Sequence, residues 1–148
     1  MASYNEKTKA LIESLGKLTD SEKIQWMRLS KYVSNYQNQE LRSFLIENNR
    51  YIYSSGNASI LEESKSLCAM IDTGIVYLLM YKPRKGKEHP ESIICALQES
   101  AAGKIITITN KETFQDESKN LKEKIDKILN ENRLNIFWDR VIALANEN

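Results

Sequence analysis

The sequence is poor in the residues that build the commonest metal and nucleophile sites. It has one histidine, His89, and two cysteines, Cys68 and Cys95, in 148 residues. A structural zinc site takes four Cys or His ligands at short spacings, so we expect no zinc and no cofactor. A Cys–His nucleophilic pair would require His89, in a charged segment, to reach a cysteine in a predicted strand. We therefore expect both cysteines to be reduced core thiols.

Clustered glycines and long apolar runs are also missing. The five glycines are scattered and provide no Gly-rich phosphate-binding loop. No apolar run reaches the length of a membrane span, and the first residues carry no apolar signal region, so we expect a cytosolic protein that does not enter a membrane. A net charge of +1 argues against polyanion binding by the chain as a whole. It does not exclude binding by a local basic patch. A carboxylate magnesium site or an acid–base pair would leave no motif, so enzyme activity is unsupported rather than refuted.

The longest apolar and aromatic run, Gly74–Tyr81, predicts a central β-strand. Side chains alternate along a strand, which places Val76, Leu78 and Met80 on one face and Ile75, Tyr77, Leu79 and Tyr81 on the other. Neither set is polar, so both faces of the sheet must be covered. Helices on both sides would do this, and so would helices on one side with a second copy of the protein on the other.

The remaining segments predict helices before the strand and after it. Apolar spacing indicates N-terminal helices over 4–16, 23–34 and 38–49, with a capping box at Thr19–Glu22 before the second. Residues 60–71 favour a strand over a helix, and further strands are expected at 93–99 and 105–109. A helix capped by Asn110 is expected to end near Glu131, and a last helix over 136–145 follows a break at 130–135.

These segments together predict one α+β domain over residues 1–148. It has N-terminal helices, a central antiparallel β-meander of about four strands, and two C-terminal helices.

A basic segment follows the central strand and provides one candidate site. Lys82, Arg84, Lys85 and Lys87 place four cations within six residues. At a hairpin tip these cations could bind nucleic-acid phosphates or another phosphorylated ligand. A solvated loop that keeps the hairpin soluble is the favoured interpretation, because nearby glutamates partly cancel the charge and no aromatic ladder accompanies it. Nucleic-acid binding is therefore the second hypothesis.

The last predicted helix is apolar nearly all round. Phe137, Val141 and Leu144 form one stripe, and Trp138, Ile142 and Ala145 form another. The helix either packs into a groove of its own fold or forms an interface, in which case the binding residues are Phe137, Trp138, Val141 and Ile142. The leading hypothesis is a non-enzymatic binding or regulatory module that acts through protein–protein contact and forms a homodimer.

Overall fold

The computed structural model describes residues 4–35, 39–54, 59–72, 74–83, 91–100, 103–109 and 114–147. Within these ranges the helices are α1 (Tyr4–Asp20), α2 (Leu29–Asn35), α3 (Gln39–Ser54) and α4 (Gln115–Ala145). The strands are β1 (Trp26–Arg28), β2 (Ser59–Leu61), β3 (Leu67–Ile71), β4 (Gly74–Pro83), β5 (Ser92–Gln98) and β6 (Ile105–Thr107). The α+β class, with an antiparallel sheet between helices at both ends, is confirmed; the strand count rises from about four to six.

The sheet has the order β1-β3-β4-β5-β6, and every pair is antiparallel. β2 pairs with the end of β4, on the same edge as β3, because β5 occupies the other edge. The segment predicted as one strand over 60–71 is thus two short strands separated by a turn. Ser66 bridges the gap in the ladder, since its Oγ accepts a 2.8 Å hydrogen bond from the backbone N–H of Met80.

Both faces of β4 are buried by helices of the same chain. Val76, Leu78 and Met80 pack with residues of α1 and α4, including Leu15 and Ile125. The opposite face, with Ile75, Tyr77, Leu79 and Tyr81, packs against α2 and α3. Of the two predicted ways of covering the sheet, the chain uses helices on both sides. The apolar faces of β4 consequently give no reason for a second copy.

The predicted helix over 23–34 is wrong in its first half. Trp26 begins an edge strand paired with β3, and α2 starts only at Leu29. The expected capping box at Thr19 is also wrong, because α1 continues to Asp20 instead of ending at Gly16. Thr19 donates to the Leu15 carbonyl at 2.7 Å and accepts the indole N–H of Trp26 at 3.0 Å. These hydrogen bonds fix Trp26 in the core and leave Thr19 in the last turn of α1.

The two predicted C-terminal helices are one helix. α4 starts at Gln115, and Asn110, the expected cap, lies outside the described residues. Phe114 has a left-handed conformation (φ 55°) at the N-cap position. No break occurs between Asn130 and Asn135, because the segment contains neither Gly nor Pro, and each solvated Asn costs a helix only about 0.7 kcal/mol relative to Ala. This continuity determines where the C-terminal apolar side chains lie.

Candidate functional site

Helix α4 is fixed to the sheet at its first residue. The Gln115 side chain accepts a hydrogen bond from Ile93 N–H through Oε1 and donates one to Ile93 O through Nε2, both 2.8 Å long. The side-chain amide thereby pairs with the backbone N–H and C=O of Ile93, as a neighbouring strand would. Thr109, just before α4, donates its backbone N–H to Cys95 O, and its Oγ1 accepts Cys95 N–H at 2.9 Å. The first residue of α4 is therefore held against the backbone of β5.

The first half of α4 belongs to the domain core. Leu121 and Ile125 are buried against α1 and the sheet. At the surface, Lys124 Nζ lies 2.9 Å from Asp20 Oδ2 at the end of α1. Asp126 Oδ1 lies 2.5 Å from Arg28 Nη1 of β1. These contacts hold the first half of α4 on its own domain.

Within the part of the chain that the structure describes, nothing packs over the second half of α4. Every residue from Glu131 to Glu147 is exposed, whereas Leu129 is still partly buried. The exposed part includes Leu134 at 59%, Phe137 at 67% and Trp138 at 66% exposure. At 1.5 Å per residue, this half extends roughly 20–25 Å past the last core contact. Large apolar side chains exposed side by side in this way are unusual on a monomer, and aromatic residues among them are typical of an interface.

The apolar face of α4 changes sides between its two halves. Leu134 follows Ile125 by nine residues, which is about two and a half turns at 3.6 residues per turn, so the two side chains point in opposite directions. Val141, seven residues after Leu134, keeps the new direction. Asn132, Ile136 and Asp139 instead continue the direction of Ile125, and Ile136 is the one large apolar residue among them. The apolar face of the second half therefore points away from its own domain.

This face, which we call the α4 patch, contains the four predicted binding residues and two more. Leu134, Phe137, Trp138, Val141, Ile142 and Leu144 all lie within one half of the helix circumference and are about half to two-thirds exposed. The prediction brought Phe137, Trp138, Val141 and Ile142 together but omitted Leu134, which fell in the expected break. Its spacing of three and seven residues to Phe137 and Val141 is the signal that would have identified it.

A polar cleft of about 580 Å³ lies between α4, from Lys119 to Arg133, β1 and the ends of β4 and β5. Arg28 and Lys122 share one carboxylate there, since Lys122 Nζ lies 2.6 Å from Asp126 Oδ2. Lys122 is only 8% exposed. The charged residues around the cleft are five cations and three carboxylates: Arg28, Lys65, Lys119, Lys122, Arg133, Glu91, Glu123 and Asp126. Sequence reasoning missed this cluster, although Lys122 and Asp126 have helical i,i+4 spacing.

The basic segment after β4 is described only at its first cation. Lys82 forms an ion pair with Glu62, which follows β2. This pairing neutralises the one cation whose surroundings are known. The other three predicted anion-binding residues, Arg84, Lys85 and Lys87, lie outside the described residues.

The two thiols are buried on opposite faces of the sheet. Cys95 lies in the α1/α4 core and Cys68 in the α2/α3 core. Burial raises the pKa of each thiol to about 12, so neither is a thiolate at neutral pH. His89 is not among the described residues, and within the described ranges no group of three or more His, Cys, Asp or Glu residues is placed to hold a metal ion.

None of the helices in the described part of the chain combines the length and apolar character needed to cross a membrane; α4 is long enough, but charged residues interrupt it.

Comparisons of the sequence with protein-family models and curated proteins, and of the fold with solved structures, find no match. The α4 patch and the polar cleft are therefore interpreted from their own geometry.

Proposed function

We propose that this chain is a self-associating protein–protein interaction module, and that the α4 patch is its binding surface. The observation that carries the proposal is the change of apolar face between Ile125 and Leu134. A helix that used Leu134 and Val141 to complete its own core would keep them in the direction of Ile125. The continuous helix directs them outward instead, where another molecule can contact them.

The size of the α4 patch supports a specific contact of modest strength. Full burial of an aromatic side chain removes about 150–250 Å² from water, and two-thirds of this remains available at both Phe137 and Trp138. With the four aliphatic residues, one chain offers on the order of 400–500 Å² of apolar surface. Two such patches bury roughly 1,000 Å² with their flanking polar atoms, which is near the lower limit of specific interfaces. We therefore expect a reversible dimer with a dissociation constant in the micromolar range.

Two exposed residues of α4 provide a matched test of this surface. Trp138→Glu places a charge in the α4 patch, whereas Ile136→Glu places the same charge on the other side of the same helix, at a residue that is also exposed. We expect light scattering during size exclusion to show that Trp138→Glu abolishes the dimer and Ile136→Glu retains it. Equal effects of both changes, or a wild-type mass of 17.1 kDa at every concentration, would contradict the proposal.

We also propose that the module acts in the cytosol, as the sequence predicts. Two free thiols, Cys68 and Cys95, suit a reducing compartment. Their burial in separate cores keeps them out of the α4 patch.

A second candidate function is binding of a phosphorylated ligand or nucleic acid, and the polar cleft is the observation that favours it. Asp126 balances only one of the two cations that contact it, and the cleft as a whole carries two more cations than carboxylates. A phosphate group could complete this charge balance. The cleft also lies at the end of the sheet where Lys82 leads into the basic segment.

This second function has its own test. Fluorescence anisotropy with labelled ATP and with single-stranded and duplex oligonucleotides, at two salt concentrations, would measure binding. Replacing the partly buried Lys119 and the exposed Arg133 by Ser should lower any affinity at least tenfold, whereas replacing the exposed Lys7 and Lys9 on α1 should not. Unchanged affinity in the first variant would exclude the cleft.

A further inference from the structure

We infer that the occupant of the α4 patch is the same patch of a second copy, with the two helices antiparallel. This inference rests on the proposed function and specifies its geometry. Leu134, Phe137, Val141 and Leu144 are separated by three, four and three residues, which is the spacing of a coiled-coil seam over two heptads. A seam of this kind is self-complementary when two copies meet around a two-fold axis.

The spacing also fixes the register of the pair. In an antiparallel pair the first seam residue of one helix meets the last of the other, so Leu134 lies opposite Leu144 of the second copy. Phe137 then lies opposite Val141 of the second copy, near the two-fold axis. Arg133, at one edge of the seam, meets Glu147 of the other copy, so opposite charges meet at each end of the pair. Arg140 lies at the same edge near the two-fold axis, opposite Arg140 of the other copy, and its own Glu147 lies 4.0 Å away.

The upstream part of α4 decides against a parallel pair. Continuing the seam toward the sheet from Leu134 gives Asn130, Lys127 and Glu123, which are exposed and polar. In a parallel pair Lys127 would face Lys127 and Glu123 would face Glu123, and like charges at a seam are unfavourable. An antiparallel pair centred near Asp139 ends before these residues. It places the two domains at opposite ends of the paired helices.

An apolar groove elsewhere on the domain is the strongest competing occupant. It has a volume of about 600 Å³ between α1 and the ends of β4, β5 and β6, and Leu18, Leu97 and the exposed Ile106 line it. If this groove received the α4 patch of another copy, either two copies would exchange their α4 halves reciprocally and close as a dimer, or the contact would continue from copy to copy. Pairing of α4 with α4 closes at two copies and leaves no α4 patch uncovered.

Cysteine cross-linking distinguishes these arrangements. Leu134→Cys and Leu144→Cys are made separately in the exposed half of α4, and the native thiols do not compete because both are buried. After oxidation of a 1:1 mixture, we expect most covalent dimers to join one variant to the other. Each variant alone should give less than about a tenth as much, because its cysteines lie roughly 15 Å apart in the antiparallel register. Ile136→Cys mixed with Leu144→Cys is the matched control and should not cross-link.

The possible failures have separate meanings. Efficient cross-linking of Leu134→Cys to itself overturns the antiparallel register in favour of a parallel pair. A dimeric protein whose mixed variants do not cross-link, and which Ile106→Glu makes monomeric, overturns the inference in favour of the groove. In both cases self-association survives. A wild-type protein that stays monomeric overturns the inference and the proposed function together.

Discussion

Ile125 and Leu134 lie on the same helix and have side chains of equal size, yet the structure gives them opposite roles. Ile125 is 1% exposed and packs against α1 and the sheet, whereas Leu134 faces solvent. Ile125→Ala should lower the free energy of unfolding by about 2–5 kcal/mol, from lost burial and the cavity that remains. Leu134→Ala should change it by less than about 0.5 kcal/mol, because an exposed side chain leaves no cavity.

The measurement requires a background that removes any contribution from dimerisation. In Trp138→Glu the remaining tryptophan is Trp26, whose indole is buried and hydrogen-bonded to Thr19, so its fluorescence reports unfolding of the domain. Urea denaturation of both alanine variants in this background gives the two values directly. A loss above about 1 kcal/mol for Leu134→Ala would show that the second half of α4 packs on its own domain, which would refute the reversed apolar face.

Four further predictions concern the domain itself. Leu78→Ala in β4 should cost about 2–5 kcal/mol in chemical denaturation, since Leu78 is completely buried, and a loss below about 1 kcal/mol would make β4 peripheral. Gly16→Ala should stabilise the protein by about 0.5–1 kcal/mol, because Gly16 is inside α1 and an added Cβ would meet only Lys124 Nζ at 3.9 Å; destabilisation would show a tighter α1–α4 contact. Cys68 and Cys95 should react with a thiol reagent only after unfolding, and fast labelling of the native protein would contradict their burial. Burial raises the pKa of both thiols, so between about pH 9 and pH 12 the thiols ionise in the unfolded chain but stay protonated in the folded one. The free energy of unfolding should therefore fall as pH rises through this range. A urea midpoint that does not change over this range would contradict the prediction.

The sequence predicts the sheet better than the helices around it. Gly74–Pro83 is a strand because its β-branched and aromatic run has no competing helical period, and its apolar faces correctly imply cover on both sides. The edge strand at Trp26 could not be predicted, because its three residues become a strand only by pairing with β3 and by the hydrogen bond from the Trp26 indole to Thr19. Local pattern alone favours a helix there.

The candidate site could be predicted in composition but not in arrangement. The apolar character of Phe137 and Trp138 is evident from the sequence. The direction in which they point depends on how many helical residues separate them from Ile125. The predicted break beginning at Asn130 made that direction impossible to derive from the sequence. The polar cleft was beyond prediction for another reason, since Arg28 and Asp126 are 98 residues apart and meet only because β1 lies beside α4.

Sedimentation equilibrium of the unmodified protein is the decisive test of closed α4 pairing. We expect the mass to rise from 17.1 kDa at about 1 µM to twice that value at about 200 µM, and to go no higher, because the α4 patch of each copy is covered by the other. A mass that stays at 17.1 kDa would show that the exposed half of α4 does not self-associate. A mass that grows beyond two copies would contradict the closed antiparallel pair.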